Sequence, residues 1–122
     1  MTENTDMHNY KNLIVWKKSV DLSLSIYKLV LKFPEHEKFA ITSQIRRSSV
    51  SIPSNIAEGS KRTTKKDFRN FLCIASGSGA ELETQLYIAH NLGYISKIDY
   101  ERVIFELDEI MKIIGTLIKK FD

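Results

Sequence analysis

SKIDYERVIFELDEIMKIIGTLIKKF, residues 96–121, carries the cleanest periodic pattern in the chain. Tyr100, Val103/Ile104, Leu107, Ile110/Met111, Ile114, Leu117/Ile118 and Phe121 recur at three- and four-residue steps, the spacing that gathers side chains on one face of an α-helix. Ser96 followed by Asp99 reads as an N-cap with an acid three positions on, so a helix is predicted over about Lys97 to Phe121. A helix with one apolar face needs neighbours to cover it, and the rest of the chain supplies three of the same kind.

Immediately upstream, Thr64-Lys65-Lys66-Asp67 repeats the cap. The helix it opens runs from about Lys65 to Leu92 on Phe68, Phe71/Leu72, Ala75, Ser78/Gly79, Leu82, Leu86 and Ala89, with Gly93 as its stop. Before it, Ile41, Ile45, Ser48/Ser49, Ile52 and Ile56 mark a helix over about Ala40 to Gly59. Pro53 falls inside that pattern and removes one backbone hydrogen bond. Because the apolar phase continues from Ile52 to Ile56, a continuous helix kinked at Pro53 is preferred to two shorter ones, and Gly59 is expected to end it in a left-handed conformation. The first helix spans about Leu13 to Lys32. Leu13, Trp16, Val20, Leu24, Tyr27 and Leu31 mark one face; Val15, Leu22, Ile26 and Leu29 widen it, as if more than one neighbour were contacted. Phe33-Pro34 ends it, since proline pushes the preceding residue out of the α region.

Four amphipathic helices on short joints, with no period-two stretch, give an all-α fold: an antiparallel up-down-up-down four-helix bundle over residues 12–122, preceded by a flexible N-terminal tail over residues 1–11. The small residues Ser48, Ser49, Ser51 and Ser54 on the second helix and the run Ala75 to Ala80 on the third are expected to meet near mid-bundle, where they let the axes approach.

A chain of 122 residues fits one domain and can bury a core without disulfides or metals. Cys73 is the sole cysteine, so no intrachain disulfide forms; a reducing cytoplasmic setting follows, with Cys73 read as a small core residue. No stretch approaches the ~18 apolar residues of a membrane span, and Met1 to Asn9, with Glu3 and Asp6, has nothing of a signal peptide, so no membrane partner is expected.

Catalytic chemistry finds no foothold. His8, His36 and His90 are far apart, none belongs to a Glu-x-x-His pair, and Glu81 and Glu83 fall on different helix faces; neither a metal nor another cofactor is expected. Ser76-Gly77-Ser78-Gly79 sits inside a helical pattern rather than a strand-turn-helix elbow, and no phosphate loop of the Walker type is present. The Arg-to-His spacing of bundle ribonucleases is also missing. A non-enzymatic protein is the expectation.

Two polar features remain. Gln44, Arg47, Ser51, Asn55 and Glu58 form a stripe on the second helix, phased away from the apolar one. It reads as a solvated face, or as a polar seam against another subunit or against Glu81 and Glu83 of the third helix. Separately, Arg46, Arg47, Lys61, Arg62, Lys65, Lys66 and Arg69 face only Glu58 and Asp67 over residues 46–69, whereas residues 81–109 hold seven acids against Lys97 and Arg102. The basic segment would attract RNA or DNA backbones through counterion release, without base stacking, or else an acidic protein partner for which the chain acts as a scaffold or adaptor.

The motifs Leu13-x-Val15-Trp16, Phe33-Pro34-x-x-Glu37, Ser43-Gln44-Ile45-Arg46-Arg47, Ser51-Ile52-Pro53-Ser54-Asn55-Ile56-Ala57-Glu58-Gly59, Phe71-Leu72-x-Ile74-Ala75-x-Gly77-Ser78 and Glu81-Leu82-Glu83-Thr84-Gln85-Leu86 follow one another along the chain. Together they closely resemble the bacterial four-helix-bundle proteins first noticed as reading frames in intervening sequences of large-subunit ribosomal RNA genes. The resemblance extends from about Leu13 to the C-terminus; Gly79 departs from it, since a bulkier residue commonly follows the Gly-Ser pair. It implies a four-helix bundle and a ring-shaped homopentamer. It also implies kinship with the accessory variability determinants of diversity-generating retroelements, which bind nucleic acid and a reverse transcriptase through basic surface residues. The matching basic positions within the motifs are Arg46 and Arg47.

Overall fold

Capping side chains start the two longest helices where expected. In a computed structural model that describes residues 9–122, Thr64 Oγ1 accepts a hydrogen bond from the Asp67 amide at 3.1 Å, and Ser96 Oγ accepts one from Asp99 at 3.1 Å. Each satisfies an amide that the first helical turn leaves without a partner. The helices are α1 (Ile14–Val30), α2 (Ile41–Ser60), α3 (Lys65–Asn91) and α4 (Lys97–Lys120), with short 3-10 turns at Tyr10–Asn12 and Glu35–Glu37 and no strand among the described residues. Gly93 takes the left-handed φ of 83° and lets the Tyr94 amide reach back to Ala89 O at 3.0 Å, closing α3.

Consecutive helices pack side by side, and α4 returns against α1, which makes an up-down-up-down bundle. Its interior is built from Ile26 of α1, Ile45 and Ile52 of α2, Leu82 and Leu86 of α3, and Leu107 and Ile114 of α4, all fully buried. Burial of such a side chain stabilises by about 1.5–3 kcal/mol. The closest pair is α2 with α3. The small residues meet there as expected: Ser51 Oγ lies 2.8 Å from Ser78 Oγ. Gly79, the departure from the family pattern, makes room for Met111 of α4. At the end of the bundle near the α1–α2 and α3–α4 joints, Phe33 packs on Tyr94 with ring centroids 5.5 Å apart, and the Tyr94 hydroxyl donates to Glu37 at 2.7 Å.

α2 runs unbroken through Pro53. In a regular helix Ser49 O would accept from the amide of residue 53, which proline lacks. Ser23 of α1 takes that place, its Oγ donating to Ser49 O at 2.8 Å in a buried setting. The proline thus frees a carbonyl that docks α1 on α2.

Three expectations need correction. The face of α1 marked by Leu24, Tyr27 and Leu31 is not the buried one: Leu24 is 59% and Leu31 80% exposed. Val15, Leu22, Ile26 and Leu29 face the core instead, together with the buried Ser19 and Ser23, whose hydroxyls bond to carbonyls. Gly59 does not end α2 in a left-handed turn; it is buried within the helix, and a Cβ there would stand 2.6 Å from the Phe71 Cβ. It is a packing glycine that brings the end of α2 against the start of α3. Cys73 is exposed on α3 rather than in the core. The tail expected over residues 1–11 lies for the most part outside the described residues; at its described end, Tyr10 rests edge-on against Trp16, centroids 5.2 Å apart. Among the described residues no helix is long and apolar enough to cross a membrane.

Candidate functional site

The joint between α2 and α3 is short because Gly59 lets the helices touch where they meet. The joint and the first turn of α3 together carry Lys61, Arg62, Lys65 and Lys66, all exposed, and so gather four of the seven sequence-predicted bases. Arg62 is partly spent: it pairs with Glu58 at 2.9 Å and lies over the Phe71 ring at 4.8 Å. Arg69, half-buried one turn into α3, is engaged with α4. Its Nε donates to Ile118 O at 3.3 Å and its guanidinium pairs with Asp122 at 3.3 Å.

The remaining two bases are elsewhere. Arg47 precedes Lys61 by fourteen residues on α2, which at 1.5 Å per residue places it about 21 Å away. Arg46 leans over the Tyr27 ring of α1 at 5.8 Å, while Arg47 lines a groove between α2 and α3. The positions matched through the family motifs are therefore not part of the basic end.

Contiguous sequence also missed three bases that do belong there. Lys119 and Lys120 close α4 beside the start of α3, where Phe68 packs on Phe121 with centroids 5.2 Å apart. Lys11 sits on the turn whose Tyr10 ring lies 5.8 Å from the Lys61 ammonium. The up-down-up-down order was the available signal: it brings the chain entry, the second joint and the C-terminus to one end. The result is an end face where Lys11, Lys61, Lys65, Lys66, Lys119 and Lys120 are exposed without an ion pair among the described residues. Such a surface holds polyanions by charge and counterion release.

The polar stripe of α2 divides in the same way. Gln44, Arg47 and Ser51 line a groove of about 470 Å³ with Ser48, and with Glu81 and Gln85 of α3. Ser48 Oγ lies 2.7 Å from the Gln85 side-chain amide, and Asn55 Nδ2 donates to Ser51 O at 2.8 Å. The Ser48–Gln85 bond crosses between the helices, stabilises by about 1 kcal/mol and helps fix their register, whereas the Asn55 bond lies within α2. Glu58 pairs with Arg62 instead, and Glu83 does not line the groove. No ion pair joins Arg47 to Glu81 or Glu83 among the described residues. Among the described residues the stripe's side-chain contact across helices is with α3, with Glu81 on the wall of the groove.

Elements of other chemistries stay apart. His90 stacks on Tyr100 at 4.3 Å with Nδ1 3.0 Å from Ile95 O, and His36 is exposed beside Glu37; His8 lies outside the described residues. No group of three His, Cys, Asp or Glu side chains able to hold a metal ion occurs among the described residues.

Comparison with known proteins agrees with the bundle. No curated protein matches the chain. A crystal structure of a protein of unknown function from the S23 ribosomal protein family of Bacteroides thetaiotaomicron VPI-5482 is 32% identical. It superposes with a TM-score of 0.79 over 87% of this chain and 99% of that one. The family model described as 23S rRNA-intervening sequence protein matches residues 11–116, nearly the whole bundle, and the chain belongs to that family.

Proposed function

We propose that the protein is a non-enzymatic, homo-oligomeric, nucleic-acid-associated protein that holds RNA or DNA backbones on its lysine-rich end. The observation that carries this reading is the convergence of Lys11, Lys61, Lys65, Lys66, Lys119 and Lys120 from three separate chain segments onto one end. Contacts of this kind go to phosphates and are sequence-tolerant. Repetition of the end around a ring, the homopentamer implied by the family resemblance, would turn a weak patch into a multivalent one. The proposed setting is a reducing cytoplasm, and kinship with the accessory variability determinants belongs to the same proposal.

Filter binding to a structured RNA across a salt series tests it. With about four phosphates engaged, the logarithm of affinity should fall against the logarithm of salt with a slope of about −3, and Lys65→Glu with Lys66→Glu should flatten it by about 2. Arg47→Glu, outside the basic end, should leave the slope unchanged. A salt-independent affinity, or none at low salt, would eliminate the reading.

One observation favours a second reading. Tyr10, Phe71 and Phe121, the partly exposed aromatic rings at this end, each already have a cation over them, so the end face reads charge alone. An acidic protein, a reverse transcriptase included, is recognised by the same means, and the chain would then be a scaffold or adaptor. Co-purification with and without nuclease separates the two.

A further inference from the structure

α2 begins without the kind of residue that usually caps a helix. Its N-cap is Ala40, whose methyl group cannot accept a hydrogen bond. The amides of Ile41, Thr42 and Ser43 meet no acceptor among the described residues, and the first helical bond runs from Gln44 N to Ala40 O at 3.1 Å. The positive end of a twenty-residue helix is thus left open.

A cleft of about 200 Å³ lies at this point, between the end of α1 and the start of α2. Val30, Phe33 and Pro34 supply an apolar wall, and Lys38, Thr42 and Arg46 supply donors. Thr42 and Arg46, four residues apart, share one face of α2. Thr42 is 3% exposed, and its hydroxyl has no hydrogen-bond partner among the described residues. A buried hydroxyl in that state has given up water without gaining a partner, so it calls for an acceptor from outside the chain. Lys38 and Arg46 are likewise without ion pairs among the described residues; each lies only over an aromatic ring, Phe39 at 5.6 Å and Tyr27 at 5.8 Å. One acid, Glu35, shares the wall. It is exposed, and two cations at a helix N-terminus outweigh it.

We propose that this cleft binds a single phosphate group, supplied as inorganic phosphate or as the terminal group of a small phosphate ester. The Thr42 hydroxyl donates to one oxygen, the Arg46 guanidinium is able to hold two at once, and Lys38 and the open end of α2 balance the charge. The volume lies below the range of drug-sized ligands, which suits one tetrahedral anion and excludes a nucleic-acid duplex. The site is also distinct from the lysine-rich end. Thr42 precedes Lys61 by nineteen residues, about 28 Å along α2.

Thermal melts at one fixed protomer concentration, without phosphate and across a phosphate series at constant ionic strength, test it. A ligand that binds only the folded chain stabilises it, so the wild-type melting temperature should rise by about 5 °C for each tenfold increase in phosphate above the Kd. Phosphate also stabilises proteins by exclusion from their surfaces, an effect that every variant shares. Thr42→Val keeps the shape and removes the hydroxyl. Without phosphate it should melt no lower than wild type, and its phosphate response should be displaced to about tenfold higher concentration. Arg46→Gln should displace the response by about as much, while Lys65→Glu with Lys66→Glu should respond as wild type does. Glycerol phosphate in a parallel series separates the two sources: a response at lower concentration than inorganic phosphate assigns the ester, and one at equal or higher concentration assigns the free ion. A wild-type response no larger than that of Thr42→Val would leave the hydroxyl to water and overturn the site. A Thr42→Val protein that melts below wild type without phosphate would mean that the hydroxyl has a partner within the chain. Loss of the response in the lysine variant would mean that phosphate sits at the other end. Either result overturns the proposal.

Discussion

Replacing Ser23 with alanine should strand one carbonyl in the bundle. Ser49 O has no amide to accept from at Pro53, and the Ser23 hydroxyl, 2.8 Å away, supplies the donor. A buried acceptor left without a partner costs about 1–3 kcal/mol, and alanine recovers up to about 0.5 kcal/mol in helix propensity. Ser23→Ala should therefore destabilise by about 1–2 kcal/mol, lowering the melting temperature by roughly 4 °C per kcal/mol for a chain of this size. The cause can be isolated. Pro53→Ala restores an amide at the position that Ser49 O would normally use, so in that background Ser23→Ala should cost less than about 0.5 kcal/mol. The coupling of about 1 kcal/mol is read from urea unfolding by circular dichroism at one fixed protomer concentration, since assembly makes apparent stability concentration-dependent. Equal costs in the two backgrounds would refute the pairing of serine with proline.

Glycines offer an internal control, because identical substitutions should differ in sign. Gly59→Ala sets a Cβ 2.6 Å from the Phe71 Cβ, an atom that cannot swing away, and should destabilise by about 1–2 kcal/mol once helix propensity is credited. Gly77→Ala meets nothing within 4 Å and should stabilise by up to about 1 kcal/mol; thermal melts of the two variants decide. At alkaline pH, the Tyr94 hydroxyl bond to Glu37 raises the tyrosine pKa above its usual 10.0, with burial and the carboxylate charge adding to it. The folded state thus favours the neutral phenol. That contribution is complete below pH 10 and is lost as pH rises through the raised value, so wild type should lose stability there more steeply than Tyr94→Phe. Parallel unfolding curves for the two proteins across that range would contradict it.

What could be read from the residues depended on whether the signal was local. The caps at Thr64 and Ser96, the stop at Gly93 and the buried stripe of α4 are written within a few residues each, and all occur as expected. The face of α1 is not a local matter. Two apolar stripes run side by side, and the one containing Val15, Leu22, Ile26 and Leu29 is interrupted by Ser19 and Ser23, which look polar until their hydroxyls are seen bonded to carbonyls. Periodicity cannot choose between such stripes; tertiary packing does. Gly59 stands where a terminating glycine would, and only its closeness to Phe71 and Phe68 reveals a packing role. The basic site was read as a contiguous run. This admitted Arg46 and Arg47, which lie well up the bundle, and overlooked Lys11, Lys119 and Lys120, which the antiparallel order returns to the same end.

Backbone amide shifts of the isotope-labelled protein, followed while a short RNA duplex is added at low salt, test the central claim most directly. The account predicts perturbations confined to the lysine-rich end, at Lys11, residues 61–66 and Lys119 to Lys120, and their disappearance as salt is raised. Shifts centred instead on Gln44, Arg47 and Glu81 in the polar groove, or on no surface at all, would contradict it.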